Sequence, residues 1–311
     1  MTTRAIPSFL LIHESMCASE QAHAMELGHI VGDTDIWIYR FLASLSLFDH
    51  ATSSLAALRA KQTERLLQQF ASVPSFDPKA FNQLGEVHQK QAEYFHQMRI
   101  RAHEEKIQQK NIDLFIEWRL IAARQISVAV NDYRVNLIAI QRLLDEAKMP
   151  FLCKHISKDD MKAIVDKFDK FFKKAERIRN AVTHSAQMRG SAKDRRQNTT
   201  KSLPDQRWFG TIEFSTANGE ANFEIFTGAD ARTYCKSHQG KALRRDINFA
   251  SLSALIEIRE LVLQIFDNVP HSDFGTVRIG RQHFSSCHNN IAETIRIIFG
   301  IELASAGGAA E

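Results

Sequence analysis

Three side chains that could act together on a phosphodiester lie in the short segment from Arg179 to His184. Arginine keeps its positive charge and binds phosphate oxygens through a planar fork of N–H donors. Histidine has an unperturbed pKa near neutrality, so it can take up a proton and return it. Asn180 adds an amide that can orient either partner. We therefore take Arg179, Asn180 and His184 as the candidate catalytic residues.

Spacing alone does not select this segment, because an arginine and a histidine stand at similar spacing at Arg232 and His238, at Arg281 and His288, and at Arg177 and His184. The helix that the surrounding sequence predicts is more informative. Apolar residues recur in steps of three and four before the segment, which predicts a helix that buries one face through Ile164, Phe168, Phe171, Ala175, Ile178 and Val182. On that helix Arg177, Asn180 and His184 point away from the core, and Arg179 lies at its flank.

The residues Arg179-Asn180 and His184 resemble, in order and spacing, the signature of the HEPN superfamily of helical ribonucleases. The resemblance implies an antiparallel helical bundle and a metal-independent endoribonuclease, in which an RNA 2′-hydroxyl attacks the neighbouring phosphate and leaves a cyclic phosphate. It implies that His184 is the general acid or base, that Arg179 stabilises phosphoryl charge, and that Asn180 orients either group. It also implies an effector of the toxin–antitoxin or abortive-infection type, which acts in antiviral defence.

The same segment predicts a homodimer. Arg179 and His184 are separated by about 140° on an unbroken helix, so one chain presents them awkwardly to a single phosphate. HEPN sites are usually composite across a dimer, and we expect a two-fold axis near His184. The expected partners are RNA, a second copy and a cognate antitoxin or other regulatory protein. No cofactor or metal ion is expected.

A basic loop follows the candidate site. Residues 189–207 contain six cations, Arg189, Lys193, Arg195, Arg196, Lys201 and Arg207, against Asp194 and Asp205. Such a loop attracts a polyanion through counterion release. We take Arg177, Arg189, Lys193, Arg195 and Arg196 as candidate RNA-binding residues; the alternative is a solvated linker.

Composition excludes several other classes. The 311 residues are 44% hydrophobic and carry a net charge of +4, as in an ordinary globular protein. The four cysteines stand far apart without a CxxC pair, and no Gly-rich phosphate loop, Gly-x-Ser-x-Gly or HExxH motif occurs. No apolar run approaches the roughly 18 residues of a membrane span. We expect a cytoplasmic protein that does not interact with membranes.

The predicted fold is mainly α, a HEPN-like antiparallel bundle with a small β-hairpin insertion. Helices are expected at 35–73, capped by Asp33, Thr34 or Asp35, and at 79–109, 111–148, 249–267 and 289–300. A hairpin is expected from Trp208 to Ile225 around Asn218-Gly219. We expect five parts along the chain: an N-terminal segment (1–34), the helical core with the motif helix (35–188), the basic loop with the hairpin (189–248), the C-terminal helices (249–303) and a disordered tail (304–311).

Two other interpretations of the motif stay open. The same cationic face suits a non-catalytic module that binds RNA, a nucleotide or a partner protein. Alternatively, Asn180 and His184 cap or bridge helices in a scaffold without activity.

Overall fold

A computed structural model describes residues 15–71, 84–145, 148–183, 200, 208–215, 220–228, 230–238, 241–266 and 269. This part of the chain is mostly helical and contains one antiparallel sheet, which confirms the mainly α prediction. The predicted helix at 289–300, the tail at 304–311 and the Asn218-Gly219 turn lie outside the described residues. The chain forms two compact units, one from residues up to Ser46 and from Arg124 onward, the other from Leu47 to Ala123.

The first helix, α1, spans Ala18–Ala71 and begins well before the predicted start at residue 35. Its buried face includes Ile38, Phe41 and Leu45. The predicted cap at Asp33, Thr34 or Asp35 was wrong because all three lie inside the helix. Asp35 instead forms a bidentate ion pair with Arg259, whose Nη2 is 2.6 Å from Oδ2.

The second helix, α2, spans Leu84–Asp145 without interruption, so the two predicted helices at 79–109 and 111–148 are one. No proline or glycine follows Gly85 in this helix, and nothing in its sequence breaks the hydrogen-bond ladder. Apolar residues recur in this helix in steps of four and three, and all of them are buried: Ile126, Val130, Tyr133, Leu137, Ile140 and Leu144.

The single helix that was predicted to carry the motif is divided into two helices in the structure. After the short α3 (Pro150–Cys153), α4 spans Lys158–Phe171 and α5 spans Ala175–Thr183. The turn between them places Lys174 at φ 60°. The prediction that Phe171 is buried was wrong, since Phe171 is 52% exposed. Phe172 is buried in its place, at 1% exposure, and its ring lies 4.9 Å from the Phe168 ring. The other predicted core residues of this region, such as Ile164 and Ile178, are buried as expected.

The sheet is a four-stranded antiparallel meander in the order β1-β2-β3-β4, formed by Trp208–Ser215, Glu220–Thr227, Thr233–His238 and Lys241–Asp246. The pairing of β1 with β2 confirms the predicted hairpin, in which Trp208 lies opposite Thr227. The strands β3 and β4 were not predicted. Their sequences, TYCKSH and KALRRD, carry charges at positions that the structure buries, including Lys236 and Arg245.

The last described helix, α6, spans Phe249–Gln264, close to the prediction of 249–267. Asn248 caps it by accepting a 2.9 Å hydrogen bond from the backbone N–H of Ser251. The carbonyl of Leu255 in α6 accepts a hydrogen bond from the Tyr133 hydroxyl of α2. The Tyr133 ring in turn stacks on Phe168 of α4 at 5.8 Å, so one aromatic side chain joins three helices.

The second unit is a helical hairpin made of the C-terminal part of α1 and the N-terminal part of α2. Its buried side chains include Phe48, Leu55, Ile112 and Leu120. The guanidinium of Arg119 lies 4.9 Å from the centre of the Phe48 ring, in cation–π contact.

Candidate functional site

The helix α5 carries two of the three candidate catalytic residues. Its Ile178 and Ala181 pack against Leu243 of β4, and Ala175 and Val182 are also buried. Contact with the sheet therefore fixes the rotation of α5 about its axis. The polar positions of the helix face away from Leu243.

Arg179 is half-buried, in agreement with its predicted position at the flank of the helix. Its Nη1 donates a 3.3 Å hydrogen bond to Oδ1 of Asn180. Its Nε is buried and has no hydrogen-bond partner among the described residues. A buried donor without a partner is costly, so this edge of the guanidinium is suited to receive an acceptor.

Asn180 was predicted to point away from the core, but it is half-buried. Asn180 still lies on the side of α5 opposite Ile178 and Val182, and residues of α1 and α2 near that side partly cover it. Arg177 is exposed as predicted. His184, Arg189, Lys193, Arg195 and Arg196 lie outside the described residues, and His184 directly follows the last residue of α5, Thr183.

Arg179 and Asn180 both line an open groove of about 750 Å³. One wall is α1, the floor is the C-terminal part of α2, and α5 closes the other side. All of its residues belong to the first compact unit. The lining consists of Glu26, Ile30, Asn131, Asp132, Arg134, Val135, Ile138, Ala139, Arg142, Leu143, Glu176, Arg179 and Asn180.

The groove contains three arginines, and they differ in their partners. Arg134 forms a bidentate ion pair with Asp169 at 2.6 and 2.8 Å, and this hydrogen bonding raises the pKa of Arg134. Arg142 forms no ion pair or hydrogen bond with the part of the chain that the structure describes. Together with Arg179, Arg142 is therefore the cation best placed to bind an anion in the groove.

Three carboxylates also line the groove, those of Glu26, Asp132 and Glu176. Asp132 accepts a 3.1 Å hydrogen bond from the Asn131 amide, and Glu26 lies 3.7 Å from His23. The groove is thus mixed in charge rather than uniformly basic. An anionic ligand would have to contact the arginines and avoid the acidic side chains.

Sequence reasoning missed Arg134 and Arg142. The sequence of α2 did hold a signal, because Ile138, Ala139 and Arg142 stand three, four and seven positions after Val135, which places all four on one side of the helix. These residues form a row next to the buried face, and such a row faces whatever packs beside the helix. It could not be assigned to a groove without knowing which helix lies opposite.

A second polar cluster supports the sheet. Glu224 on β2 is buried and accepts two 2.8 Å hydrogen bonds from Arg124 of α2, one of 2.5 Å from the Tyr234 hydroxyl and one of 3.2 Å from Lys236. Burial raises the pKa of Glu224, but the hydrogen bonds of Arg124 and Tyr234 and the charge of Lys236 outweigh it and lower the pKa to about 2. This carboxylate is therefore a permanently charged link between α2 and the sheet.

Arg245 on β4 is a further buried cation. Its guanidinium lies 5.4 Å from the Phe172 ring centre, and burial lowers its pKa to about 10. Its Nε and Nη2 have no hydrogen-bond partner within the described residues. The ring contact makes this side chain part of the packing at the turn between α4 and α5.

Comparison with known proteins adds no relative: no family model, curated protein or solved structure matches this chain. Among the described residues, no group of three or more His, Cys, Asp or Glu side chains is arranged to hold a metal ion. None of the described helices combines the length and apolar character that crossing a bilayer requires.

Proposed function

We propose that this protein is a metal-independent endoribonuclease of the HEPN type that acts on RNA bound in the groove between α1, α2 and α5. The observation that carries the proposal is the shared position of Arg179 and Asn180 in that groove, with a buried guanidinium N–H that lacks a partner among the described residues. His184 follows α5 directly and supplies the titratable group.

The chemistry assigned to these residues is a transesterification. His184 removes the proton from the RNA 2′-hydroxyl, whose oxygen attacks the adjacent phosphorus and forms a bond to it. The bond from phosphorus to the 5′-oxygen breaks, and a protonated histidine returns a proton to that oxygen. Arg179 stabilises the negative charge that develops on the phosphoryl oxygens, and Asn180 holds Arg179 in place.

A homodimer is part of the proposal. In an in-line displacement the attacking 2′-oxygen and the leaving 5′-oxygen lie on opposite sides of the phosphorus, so one imidazole reaches both poorly, and His184 of a second copy would protonate the leaving oxygen. Two copies of α5 related by a two-fold axis bring two arginines and two histidines to one cleft. We propose an effector of toxin–antitoxin or antiviral defence systems in the cytoplasm, with an antitoxin or other regulatory protein as its inhibitor.

The test is cleavage of RNA by the purified full-length protein in the presence of EDTA. We expect cleavage that leaves 2′,3′-cyclic phosphate ends, and we expect its loss in His184→Ala and Arg179→Ala. The matched control is Arg244→Ala, which removes an exposed arginine of β4 that does not line the groove. Absence of cleavage by the wild type, or equal cleavage by His184→Ala, would overturn the proposal.

The carboxylates of the groove favour one second candidate, a non-catalytic module that binds a polypeptide. Glu26, Asp132 and Glu176 suit a ligand with positive as well as negative groups, and the apolar floor at Val135 and Ile138 suits aliphatic side chains. In that case Arg179→Ala and Glu176→Ala would both weaken binding of a protein partner. No cyclic phosphate would form.

A further inference from the structure

Four basic side chains form a stripe along α2 in the second unit. They follow one another in steps of four, three and four residues, a spacing that places them on one side of a helix: Arg99, His103, Lys106 and Lys110. All four are exposed. We call these residues the α2 basic stripe. It extends over about 16 Å of the helix axis, which is long enough to meet several phosphates of one nucleic-acid strand.

The stripe lies on the side of α2 that is opposite α1. Glu104 marks the side that faces α1, since it lies 3.8 Å from Arg65. Gln108 lies on the same side and donates a 3.3 Å hydrogen bond to the Leu58 carbonyl, and Ile112 is buried there. At 100° per residue, the mean direction of these three α2 residues is about 170° from that of the stripe. The basic side chains therefore point away from the partner helix.

Acidic residues are segregated from the stripe. Three glutamates occur between residues 93 and 110, and all stand at positions more than about 100° from the middle of the stripe: Glu93, Glu104 and Glu105. The first aspartate beyond the stripe, Asp113, accepts a 2.8 Å hydrogen bond from Gln109. Arg99, Lys106 and Lys110 form no ion pair or hydrogen bond with the part of the chain that the structure describes. Their charge is therefore available to an anionic partner.

Two exposed aromatic rings lie at the N-terminal end of the stripe. Phe95 stands one turn before Arg99, on the same side of the helix, and is 62% exposed. The ring of Tyr94 lies 6.0 Å from the Phe95 ring in an edge-on arrangement and is also exposed. Proteins that hold single-stranded nucleic acids combine such features, because aromatic rings stack on bases while cations contact phosphates.

We propose that the α2 basic stripe and Phe95 form a binding site for single-stranded nucleic acid. The ring of Phe95 stacks on an unpaired base, and the cations of the stripe contact phosphates of the same strand. None of these residues lines the groove that contains Arg179. The site therefore goes beyond the ribonuclease proposal, and it binds a strand whether or not the groove cleaves RNA.

A bilayer and a duplex fit this surface less well than a single strand. The exposed Ile100 and Ile107 beside the stripe are seven residues apart with charged residues between them, so the helix has no continuous apolar face to enter a bilayer. In a duplex the bases are stacked and paired, which leaves Phe95 without a base to contact. A single strand satisfies both the cations and the ring.

Fluorescence anisotropy with a 20-nucleotide single-stranded RNA tests the charged part of the site. The full-length protein carries His184→Ala, so that the probe stays intact if the groove cleaves RNA. We expect the combined change Arg99→Gln, Lys106→Gln and Lys110→Gln to make the slope of log K against log salt shallower by about 2, since each phosphate contact on a single strand contributes about 0.7.

The matched control removes the same number of positive charges elsewhere. Three exposed lysines of α4 and of the turn that follows it are replaced together: Lys162→Gln, Lys170→Gln and Lys173→Gln. This variant has the same net charge as the stripe variant, and it should keep the slope of the parent protein. Equal slopes for the two triple variants would overturn the proposal.

The aromatic part of the site has its own test with the same probe. We expect Phe95→Ala to weaken binding of the strand at least fivefold and Phe95→Trp to retain it, because a larger ring still stacks on a base. The control Leu67→Ala removes an exposed apolar side chain of α1 and should leave binding unchanged. Equal affinities for Phe95→Ala and Leu67→Ala would contradict the proposed stacking and overturn the site.

Other probes identify the ligand. A DNA strand of the same sequence distinguishes the two kinds of single strand: tighter binding of RNA assigns the site to RNA, and equal binding assigns it to either. Binding of duplex RNA or of polyglutamate as tight as that of the single strand would overturn the proposal. So would a stripe variant that loses binding to phosphatidylserine vesicles but keeps its affinity for RNA. None of these outcomes depends on RNA cleavage, so they can be distinguished from a failure of the ribonuclease proposal.

Discussion

Oδ1 of Asn180 accepts a hydrogen bond from Nη1 of its neighbour Arg179 at 3.3 Å. The two side chains are adjacent in the chain, yet both reach the same groove because the sheet holds the opposite face of α5 at Ile178 and Ala181. The amide therefore restrains the guanidinium through Nη1, whereas the buried Nε has no hydrogen-bond partner among the described residues. This relationship makes Asn180 a positioning residue whose role can be separated from that of Arg179.

Replacement of Asn180 tests this positioning role. We expect Asn180→Ala to lower kcat for RNA cleavage by about tenfold, with a smaller change in KM, because the arginine loses the acceptor that orients it in the transition state. Asn180→Asp keeps an acceptor and should recover part of kcat. Thr183→Val is the control, since it removes a hydroxyl that, among the described residues, donates to the Arg179 carbonyl at 3.0 Å and does not contact the guanidinium. Equal kcat values for Asn180→Ala and Thr183→Val would contradict the role.

Arg142 should contribute one electrostatic contact to RNA binding. In Arg142→Ala we expect weaker binding of single-stranded RNA at every salt concentration. The slope of log K against log salt should become shallower by about 0.7, the value for one phosphate contact on a single strand. Fluorescence anisotropy titrations at several salt concentrations measure both quantities. The control Arg244→Ala should leave the slope unchanged. An unchanged slope in Arg142→Ala would show that Arg142 does not contact the bound RNA.

The buried Glu224 should make stability depend on pH. Its folded pKa of about 2 lies below its ordinary value of 4.5, so its contribution is present above the ordinary value and is lost as the pH falls toward 2. The contribution is on the order of 3 kcal/mol at pH 7. Urea unfolding at pH 7 and pH 3 measures it, and Glu224→Gln should show less of this loss because it has no carboxylate to protonate.

The control for this measurement is Glu257→Gln, which removes an exposed carboxylate that pairs with Lys167. It should keep the pH dependence of the wild type. At pH 7, Glu224→Gln should be destabilised by about 3 kcal/mol, since it leaves Lys236 buried without its anion. A stability for Glu224→Gln equal to that of Glu257→Gln at pH 7 would refute this account.

The turn between α4 and α5 gives a prediction about backbone strain. Lys174 has φ 60°, a left-handed conformation that side chains disfavour and β-branched side chains disfavour most. We expect Lys174→Gly to be more stable than Lys174→Val by at least about 1 kcal/mol. Thermal unfolding of the two variants and the wild type measures the difference, and the reverse order would show that the turn is not needed for folding.

Local periodicity predicted much of the helical core but not the ends of its helices. The steps between Ile126, Val130 and Tyr133 require no knowledge of the partner elements, and all three are buried. The start of α1 was missed because Asp33, Thr34 and Asp35 have the composition of a helix cap. Only the partner Arg259, 224 residues away from Asp35, explains why that aspartate lies within a helix.

The break before α5 was not predictable from the residues around it. Phe171 and Phe172 are both able to fill a core, and no glycine or proline follows them in the turn. The choice is made by tertiary packing, because Phe172 contacts Phe168 and Arg245. The position at which α5 begins depends on that choice, and the residues of the motif alone did not show it.

The charged strands β3 and β4 were missed for a related reason. Lys236 and Arg245 suggest a solvated segment when they are considered alone. Lys236 is buried because Glu224 neutralises it, and that carboxylate also binds Arg124. A network of this kind becomes apparent only when the strands are placed side by side.

The ion pair between Arg124 and Glu224 has a consequence for the order in which the structure forms during translation. The two residues are 100 positions apart, so a ribosome that has finished α2 must still make α3, α4, α5, β1 and the first half of β2 before the anion exists. Until then the guanidinium of Arg124 has to remain hydrated. The C-terminal part of α2, which forms the floor of the groove, thus acquires this ion pair late in translation.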